Sequence, residues 1–208
     1  MNFAGAGAFA AAFGVSRETM ERLEVHRRLL EQWNSRINLV SRASLGEVWS
    51  RHFADSAQLW RLKPPPARLW LDLGSGAGFP GLVIAALAAE TGEGEIRLVE
   101  SDQRKAAFLA TVIRTAGLPA TVHNERVETL APVGADVVSA RALAPLDSLL
   151  AMMEIHLRQG GTGLFPKGAS VHKEIAEAAV RWHFEHALHP SLTDPRAAIV
   201  EIGATRRV

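Results

Sequence analysis

The chain has 208 residues, 48% of them hydrophobic, with 23 basic and 22 acidic side chains and no cysteine. That apolar content excludes a disordered chain and is enough for one domain, or one domain with an appendage. The balanced charge excludes a polycation, the lack of cysteine excludes disulfides and thiolate metal sites, and no apolar run is long enough to span a membrane. Residues 1–14 are rich in Ala, Gly and Phe, with no Lys or Arg before them. They do not read as a signal peptide and are expected to form a mobile or loosely packed tail of a cytoplasmic protein. Residues 1–66 carry +3 and residues 67–208 carry −2, so the front third is modestly basic.

Ser16 to about Arg36 reads as a helix, with Ser16 as N-cap and Glu18 and Glu21 in the first turns. Met20, Leu23, Leu30, Trp33 and Ile37 form one apolar stripe. Arg22, Arg27, Arg28 and Arg36 lie off it, either as a solvated face or as approaches to phosphate. Residues 33–42 interleave polar and apolar side chains and end in a turn. Residues 45–62 read as a further helix, with His52, Asp55 and Ser56 on one face. A nucleophilic serine needs an exposed strained turn and partners from separate elements, so a hydrolase triad is rejected and a polar cluster facing the rest of the fold is expected. Trp49 and Phe53 read as core, with stacking on a nucleobase as the alternative. Lys63-Pro64-Pro65-Pro66 then stops the helix. The boundary is placed there, giving a helical extension over 1–66 and a core domain over 67–208.

From residue 67 strands alternate with helices. Strands are expected near 68–73, 95–100, 119–123, 135–140, 161–166, 182–189 and 197–204, and helices near 81–90, 103–116, 145–158 and 170–180. This alternation implies an α/β fold whose seven-stranded sheet is mostly parallel and covered on both faces. The last two strands are joined by too short a turn for a crossover, so the last is antiparallel.

The first strand runs into Gly74-Ser75-Gly76-Ala77-Gly78-Phe79-Pro80-Gly81, and a helix-forming run follows. Four glycines in these eight residues give a turn that lets a ligand meet bare backbone beside a helix N-terminus. Gly76-x-Gly78-x-x-Gly81 satisfies a dinucleotide pattern, while Asp72-x-Gly74-x-Gly76-x-Gly78 reads as an S-adenosylmethionine turn. Both cofactors contain an adenosine ribose, whose hydroxyls the carboxylate of Glu100, ending the second strand, could accept. The chain has no Tyr, which removes one dehydrogenase arrangement, and too little sequence follows Glu100 for a separate substrate domain. S-adenosylmethionine is therefore favoured.

Ligands in such sheets bind at the carboxyl ends of the strands. That rule gathers Gly74–Phe79, Glu100, the 124–128 segment, Arg141 and Lys167 around one crevice. Arginine at a buried strand end needs a partner, either a ligand anion or a neighbouring acid. Arg141 and Lys167 together suit a phosphate- or carboxylate-bearing ligand. The eight histidines show no trusted ligand spacing, and no metal is expected.

Asp72-Leu-Gly-Ser-Gly-Ala-Gly-Phe-Pro-Gly81, Trp33-Asn-x-x-Ile-Asn-Leu39, Arg51-His-Phe-x-Asp-Ser56, Arg126-Val-Glu128, Ser139-Ala-Arg-Ala142 and Pro166-Lys-Gly168 together resemble the RsmG (GidB) family over about residues 20–205. The resemblance implies a Rossmann-like class I methyltransferase that moves a methyl group from S-adenosylmethionine to the N7 nitrogen of guanine 527 in 16S rRNA. The partner would be 16S rRNA or the small ribosomal subunit, with a monomer favoured. It also implies that Gly74, Phe79, Val127, Glu128 and Arg141 touch the cofactor; Gly76 and Gly78 are added from the turn and Glu100 from the ribose argument. His52 and Lys167 are candidates to hold the nucleotide, and no catalytic base is named. Two alternatives stay open: an RNA- and cofactor-binding scaffold without turnover, and an NAD-dependent dehydrogenase.

Overall fold

A computed structural model describes residues 3 and 5–208. The chain forms α1 (Ala6–Phe13), α2 (Arg17–Asn34), α3 (Arg42–Leu45), a π-helical turn (Trp49–Ala54), α4 (Asp55–Ala57) and a 3-10 turn (Gln58–Leu62). There follow β1 (Leu69–Leu73), α5 (Gly81–Thr91), β2 (Glu95–Val99), α6 (Gln103–Ala116), β3 (Ala120–His123), β4 (Ala135–Ala140) and α7 (Leu146–His156). Then come β5 (Leu157–Lys167), α8 (Val171–Ala178), β6 (Trp182–Pro190) and β7 (Ala198–Arg207).

The seven strands lie in the order β3-β2-β1-β4-β5-β7-β6. Pairs among β1 to β5 are parallel, and β7 runs antiparallel to both β5 and β6. The strand order reverses between β1 and β4, so the crevice of a doubly wound sheet falls at their carboxyl ends. One buried cluster joins Leu23 and Leu30 of α2, Phe53, α5 residues such as Leu82 and Ile84, and Phe108 of α6. A second lies under α7 and α8, around Leu71, Val99, Leu150 and Val171. Leu23, Leu30, Leu71 and Leu82 are each 1% exposed or less, and such burial is worth roughly 2 kcal/mol per side chain. The first cluster contains residues from both sides of the Lys63–Pro66 break, so the helical extension completes one face of the sheet.

Three expectations change. Residues 6–13 are not loose: α1 buries Phe9 completely, with its ring 5.4 Å from that of Trp49 and 6.5 Å from that of Phe53. The small Ala and Gly side chains of this segment let its Phe rings reach the core. Residues 1, 2 and 4 lie outside the described residues. The continuous helix expected over 45–62 instead passes through a π-turn, a short α segment and a 3-10 turn, and the Arg51 carbonyl within the π-turn accepts from Arg141 Nη1 at 3.1 Å. Strand β5 starts at Leu157 rather than 161, since Gly160, at φ 74°, and Gly161 allow an irregular pairing with β4 between Ala135 and Val137. Among the described residues no helix is long and apolar enough to cross a membrane, and no cluster of side chains could hold a metal ion.

Candidate active site

A cleft of about 1550 Å³ opens at the carboxyl ends of the central strands. Gly74, Gly76, Phe79, Glu100, Val127, Glu128, Arg141, His52 and Lys167 all line it. Gly78 does not: a Cβ there would lie 2.3 Å from Leu82 Cδ1, so it faces the helix behind the turn.

The glycine turn is held mainly by backbone. Gly74, Gly76 and Gly78 have φ values of 62°, 54° and 83°, which an L side chain adopts only at a cost. Ser75 N donates to Val99 O at 3.0 Å, Gly78 N to Ser75 O at 2.7 Å and Leu82 N to Gly78 O at 2.8 Å. Gly76 N donates to Glu100 Oε2 at 2.9 Å, and Gly81 N to Asp72 Oδ2 at 3.1 Å. The expected unpaired amides at the start of α5 are therefore engaged within the turn. Asp72 is fully buried and also accepts from Ser139 Oγ at 2.7 Å. Burial pushes its carboxyl up to about 6, against hydrogen bonds from Ser139, Ser75 and Gly81 that lower it. A Cβ at Gly76 would meet only Gly74 O, at 3.8 Å, so this position faces open space in the cleft.

Glu100 sits 7% exposed at the floor. Its Oε1 accepts from Asp102 N at 2.8 Å, so each carboxylate oxygen has one amide donor and keeps lone pairs for a further hydroxyl. Asn124 Nδ2 donates to Glu100 O at 2.8 Å, which ties the segment after β3 to the same floor. Val127 and Glu128 follow in a 3-10 turn over Val127–Thr129.

The opposite wall is built from side chains. Arg141, just past β4, donates through Nη1 to Asp55 Oδ2 at 3.1 Å and to the Arg51 carbonyl, and its Cζ lies 5.2 Å from the centre of the Phe79 ring. Its Nη2 lies 3.0 Å from His52 Nδ1. A guanidinium only donates, so His52 Nδ1 accepts and its hydrogen sits on Nε2, which is buried without a partner. Burial first, and then the Arg141 and Arg51 cations, lower the His52 pKa to about 3. Asp55 Oδ1 accepts from Thr193 Oγ1 at 3.1 Å, and Gln58 Oε1 from Leu192 N at 2.9 Å. These bonds dock the Ser191–Ala197 loop. Lys167 Nζ donates to the Ala144 carbonyl at 2.9 Å and pairs with Glu174 Oε2 at 2.8 Å.

The residues singled out in the sequence, Gly78 apart, lie around one cleft, and several of them have partners within the protein. Of the two kinds of partner expected for Arg141, a ligand anion or a neighbouring acid, the structure supplies the acid, Asp55. Lys167 and His52, candidates for the nucleotide, have their polar atoms engaged or buried within the protein. The polar cluster expected at His52 and Asp55 is present, while the Ser56 hydroxyl is buried without a partner. Trp49 and Phe53 are core residues, 9% and 0% exposed.

Sequence reasoning missed His26 and Ala142. His26 is 1% exposed on α2, and its Nε2 lies 2.8 Å from the Ala77 carbonyl of the glycine turn. The available signal was a polar side chain three residues after Leu23 and four before Leu30, on the apolar stripe. Ala142 has φ 54° without being glycine, and nothing in its local sequence announces that.

The model of the family described as GidB, rRNA small subunit methyltransferase G, matches residues 19–199. The Ribosomal RNA small subunit methyltransferase G of Cereibacter sphaeroides is 52% identical over 200 residues, 96% of each chain. That of Ruegeria pomeroyi is 50% identical over 200 residues, 96% of this chain and 98% of its own. Among solved structures, a candidate class I S-adenosylmethionine-dependent methyltransferase from Listeria monocytogenes superimposes with a TM-score of 0.60 at 14% identity. That likeness covers 91% of this chain and 70% of the other, and establishes the class I methyltransferase fold.

Proposed function

This chain belongs to the family of rRNA small subunit methyltransferase G, and on that premise we propose that its cleft binds S-adenosylmethionine and methylates the N7 nitrogen of guanine 527 in 16S rRNA. The observation that carries the choice of cofactor is the turn's own bonding. The amides of Ser75, Gly76, Gly78, Gly81 and Leu82 already have acceptors. A dinucleotide pyrophosphate needs such amides free at the helix start. A nucleoside without phosphate needs only the bare turn, open space beside Gly76, and the Glu100 carboxylate for its ribose. The residues fit that group.

S-adenosylmethionine, when bound, supplies an electrophilic methyl on a sulfonium. Gly74, Gly76 and Phe79 would form its bed, Glu100 would hold the ribose, and Val127 and Glu128 would border the adenine. Arg141, fixed by Asp55, would stand at the far side. The N7 nitrogen of guanine carries an in-plane lone pair and loses no proton on methylation, so the chain needs no general base. Its residues have to orient two reactants and exclude water. Asp55 is neutralised by Arg141, so among these residues Glu128 is the acid at the cleft that would favour the positive charge methylation places on the base. The substrate is RNA of the small subunit, met by a monomer in the cytoplasm.

The test is methyl transfer from labelled S-adenosylmethionine to small subunits, and to naked 16S rRNA, from a strain lacking the activity. Label mapping to guanine 527 is expected. RNA and cofactor binding without incorporation would establish a scaffold instead, and NAD binding more tightly than S-adenosylmethionine would reverse the choice of cofactor.

A further inference from the structure

Two histidines stack on Phe79. The His26 and Phe79 ring centres are 4.7 Å apart with planes 26° from parallel, and the His52 and Phe79 centres are 4.9 Å apart at 20°. Phe53 meets Phe79 edge-on at 5.3 Å and 89°. Phe79 therefore sits in an aromatic socket supplied by α2 and the π-turn, outside the strand-turn-helix unit that carries the glycines.

His26 also reaches the turn's backbone. A carbonyl only accepts, so the 2.8 Å approach of Nε2 to Ala77 O places the hydrogen on Nε2. Nδ1 then keeps a lone pair that is buried with no protein partner. Such an orphan costs roughly 1–3 kcal/mol. A leucine or phenylalanine would pack against Phe53, Phe79 and Phe108 without that cost. What an imidazole adds is the bond to Ala77. Ala77 lies between Gly76 and Gly78, at φ 54° and 83°. Glycines on both sides loosen its peptide groups as they do those of Ser75, but Ser75 is tied by its amide to Val99 O and by its carbonyl to Gly78 N, whereas the Ala77 carbonyl is held by His26.

We propose that His26 is a positioning residue for the cofactor: from α2 it fixes the Ala77 peptide and the Phe79 ring, and so sets the shape of the bed on which S-adenosylmethionine lies. This rests on the reading of the cleft as an S-adenosylmethionine site. The helical extension is then part of the cofactor site as well as a cover for the sheet. Burial keeps this imidazole neutral through the physiological range, holding its pKa at about 4, so the bond is a constant restraint there rather than a switch.

The test compares His26→Phe, which keeps a ring and removes the donor, with His26→Gln, whose amide can still donate to Ala77. Calorimetry gives the affinity for S-adenosylmethionine, and steady-state kinetics give KM for cofactor and for small subunits separately. For folded His26→Phe, cofactor affinity is expected to fall about tenfold, the worth of one hydrogen bond. KM for the RNA substrate should stay within twofold, and His26→Gln should recover most of the loss. A role confined to stability would lower the unfolding midpoint and leave the cofactor affinity and both KM values of the folded variant unchanged. If His26→Phe fails to fold, nitrogen NMR of the unmutated protein decides. The His26 resonances should report the Nε2–H tautomer and shift in step with S-adenosylmethionine. A folded His26→Phe with cofactor affinity within twofold of wild type, or resonances that do not respond to the cofactor, would overturn the inference alone. Wild-type protein that binds no S-adenosylmethionine would overturn the reading of the cleft and this inference with it.

Discussion

On one side of the cleft, the Gly74–Gly81 turn is held by amide bonds to Val99, Ser75 and the buried Asp72 and Glu100 carboxylates. On the other, Arg141, Asp55, His52 and Thr193 are joined by side chains that lie far apart in the chain. The first wall is local: a strand, a turn and a helix in one stretch, with Glu100 added from the neighbouring strand. The second is assembled from the extension, the end of β4 and the loop before β7. A backbone-held wall tolerates most side-chain changes and fails where a Cβ appears in a bare place. A side-chain wall fails wherever one partner is removed. The two histidines on Phe79 join the walls, one bonded to the turn and the other to Arg141.

That junction carries the largest expected effect. The folded-state pKa of His26 is lowered to about 4 from 6.5, chiefly by burial and against the Ala77 hydrogen bond. As pH falls below 6.5 the unfolded chain takes a proton that the folded chain refuses. Stability is therefore lost progressively and the loss is complete below about pH 4, amounting to about 3 kcal/mol. His52 acts in the same direction, with a folded pKa of about 3. Asp72 acts oppositely: its carboxyl is raised to about 6 from 3.8, so the folded chain gains protons first and stability rises as pH falls through that window. Wild-type curves mix these effects, and a variant separates them. Urea unfolding at pH 7.5 and pH 4 should show that His26→Phe loses about 3 kcal/mol less between the two than wild type does. Equal losses in both proteins would mean that His26 is not buried neutral against the turn.

The backbone-held wall is probed at Gly76, whose Cβ would point into open cleft. A valine there is β-branched at φ 54° and costs roughly 1–2 kcal/mol of backbone strain. The protein should still fold, since nothing within 3.8 Å is struck. Its side chain would occupy the space assigned to the cofactor. Affinity for S-adenosylmethionine should fall at least a hundredfold, about 2.8 kcal/mol, by calorimetry on protein with a wild-type circular dichroism spectrum. Unchanged affinity in the folded variant would place the ligand elsewhere and dissolve the distinction between the walls.

The difference between the walls also explains how much of each was legible in sequence. The first is a local pattern: alternation in β1, glycines where positive φ is required, helix formers after Gly81, and an acid ending the next strand. Strand count, helix order and the antiparallel β7 follow from the same local signals, because each element buries a face set by its own periodicity. The second wall depends on residues brought together only by the finished fold. Sequence placed Asp55 on a helix face and Arg141 at a strand end, yet could not pair them, because the π-turn that aims Arg51 and Asp55 at Arg141 is a packing outcome. His26 was hidden for a similar reason: its partner is a main-chain carbonyl, which leaves no mark in side-chain pattern. The tail over 6–13 was misjudged because Ala- and Gly-rich composition resembles a flexible segment until Phe9 finds Trp49 and Phe53.

The smallest expected effect, and the one that separates the walls most cleanly, is at Asp55. Its ion pair with Arg141 is 3.1 Å long, and the two side chains are 17% and 18% exposed. Removing one partner of a fully buried pair costs about 3–5 kcal/mol, but solvent reaches this one, and Arg141 keeps the Arg51 carbonyl and His52 Nδ1 as acceptors. Asp55→Ala is therefore expected to lower stability by about 2 kcal/mol, measured by thermal or urea unfolding. It also removes the acceptor for Thr193 Oγ1 and for Gln58 Nε2, 3.0 Å from Asp55 Oδ1, so the Ser191–Ala197 loop should loosen. Asp55→Asn keeps one acceptor oxygen, enough for Thr193 and Gln58, but turns a donating NH2 toward Arg141, so it should recover less than half of the loss. Because the turn and Glu100 are untouched, S-adenosylmethionine affinity should fall less than tenfold while methyl transfer to small subunits falls further. A loss of cofactor affinity as deep as that of Gly76→Val would show that the walls do not act separately and that the Arg141 network is itself part of the bed beneath the ligand.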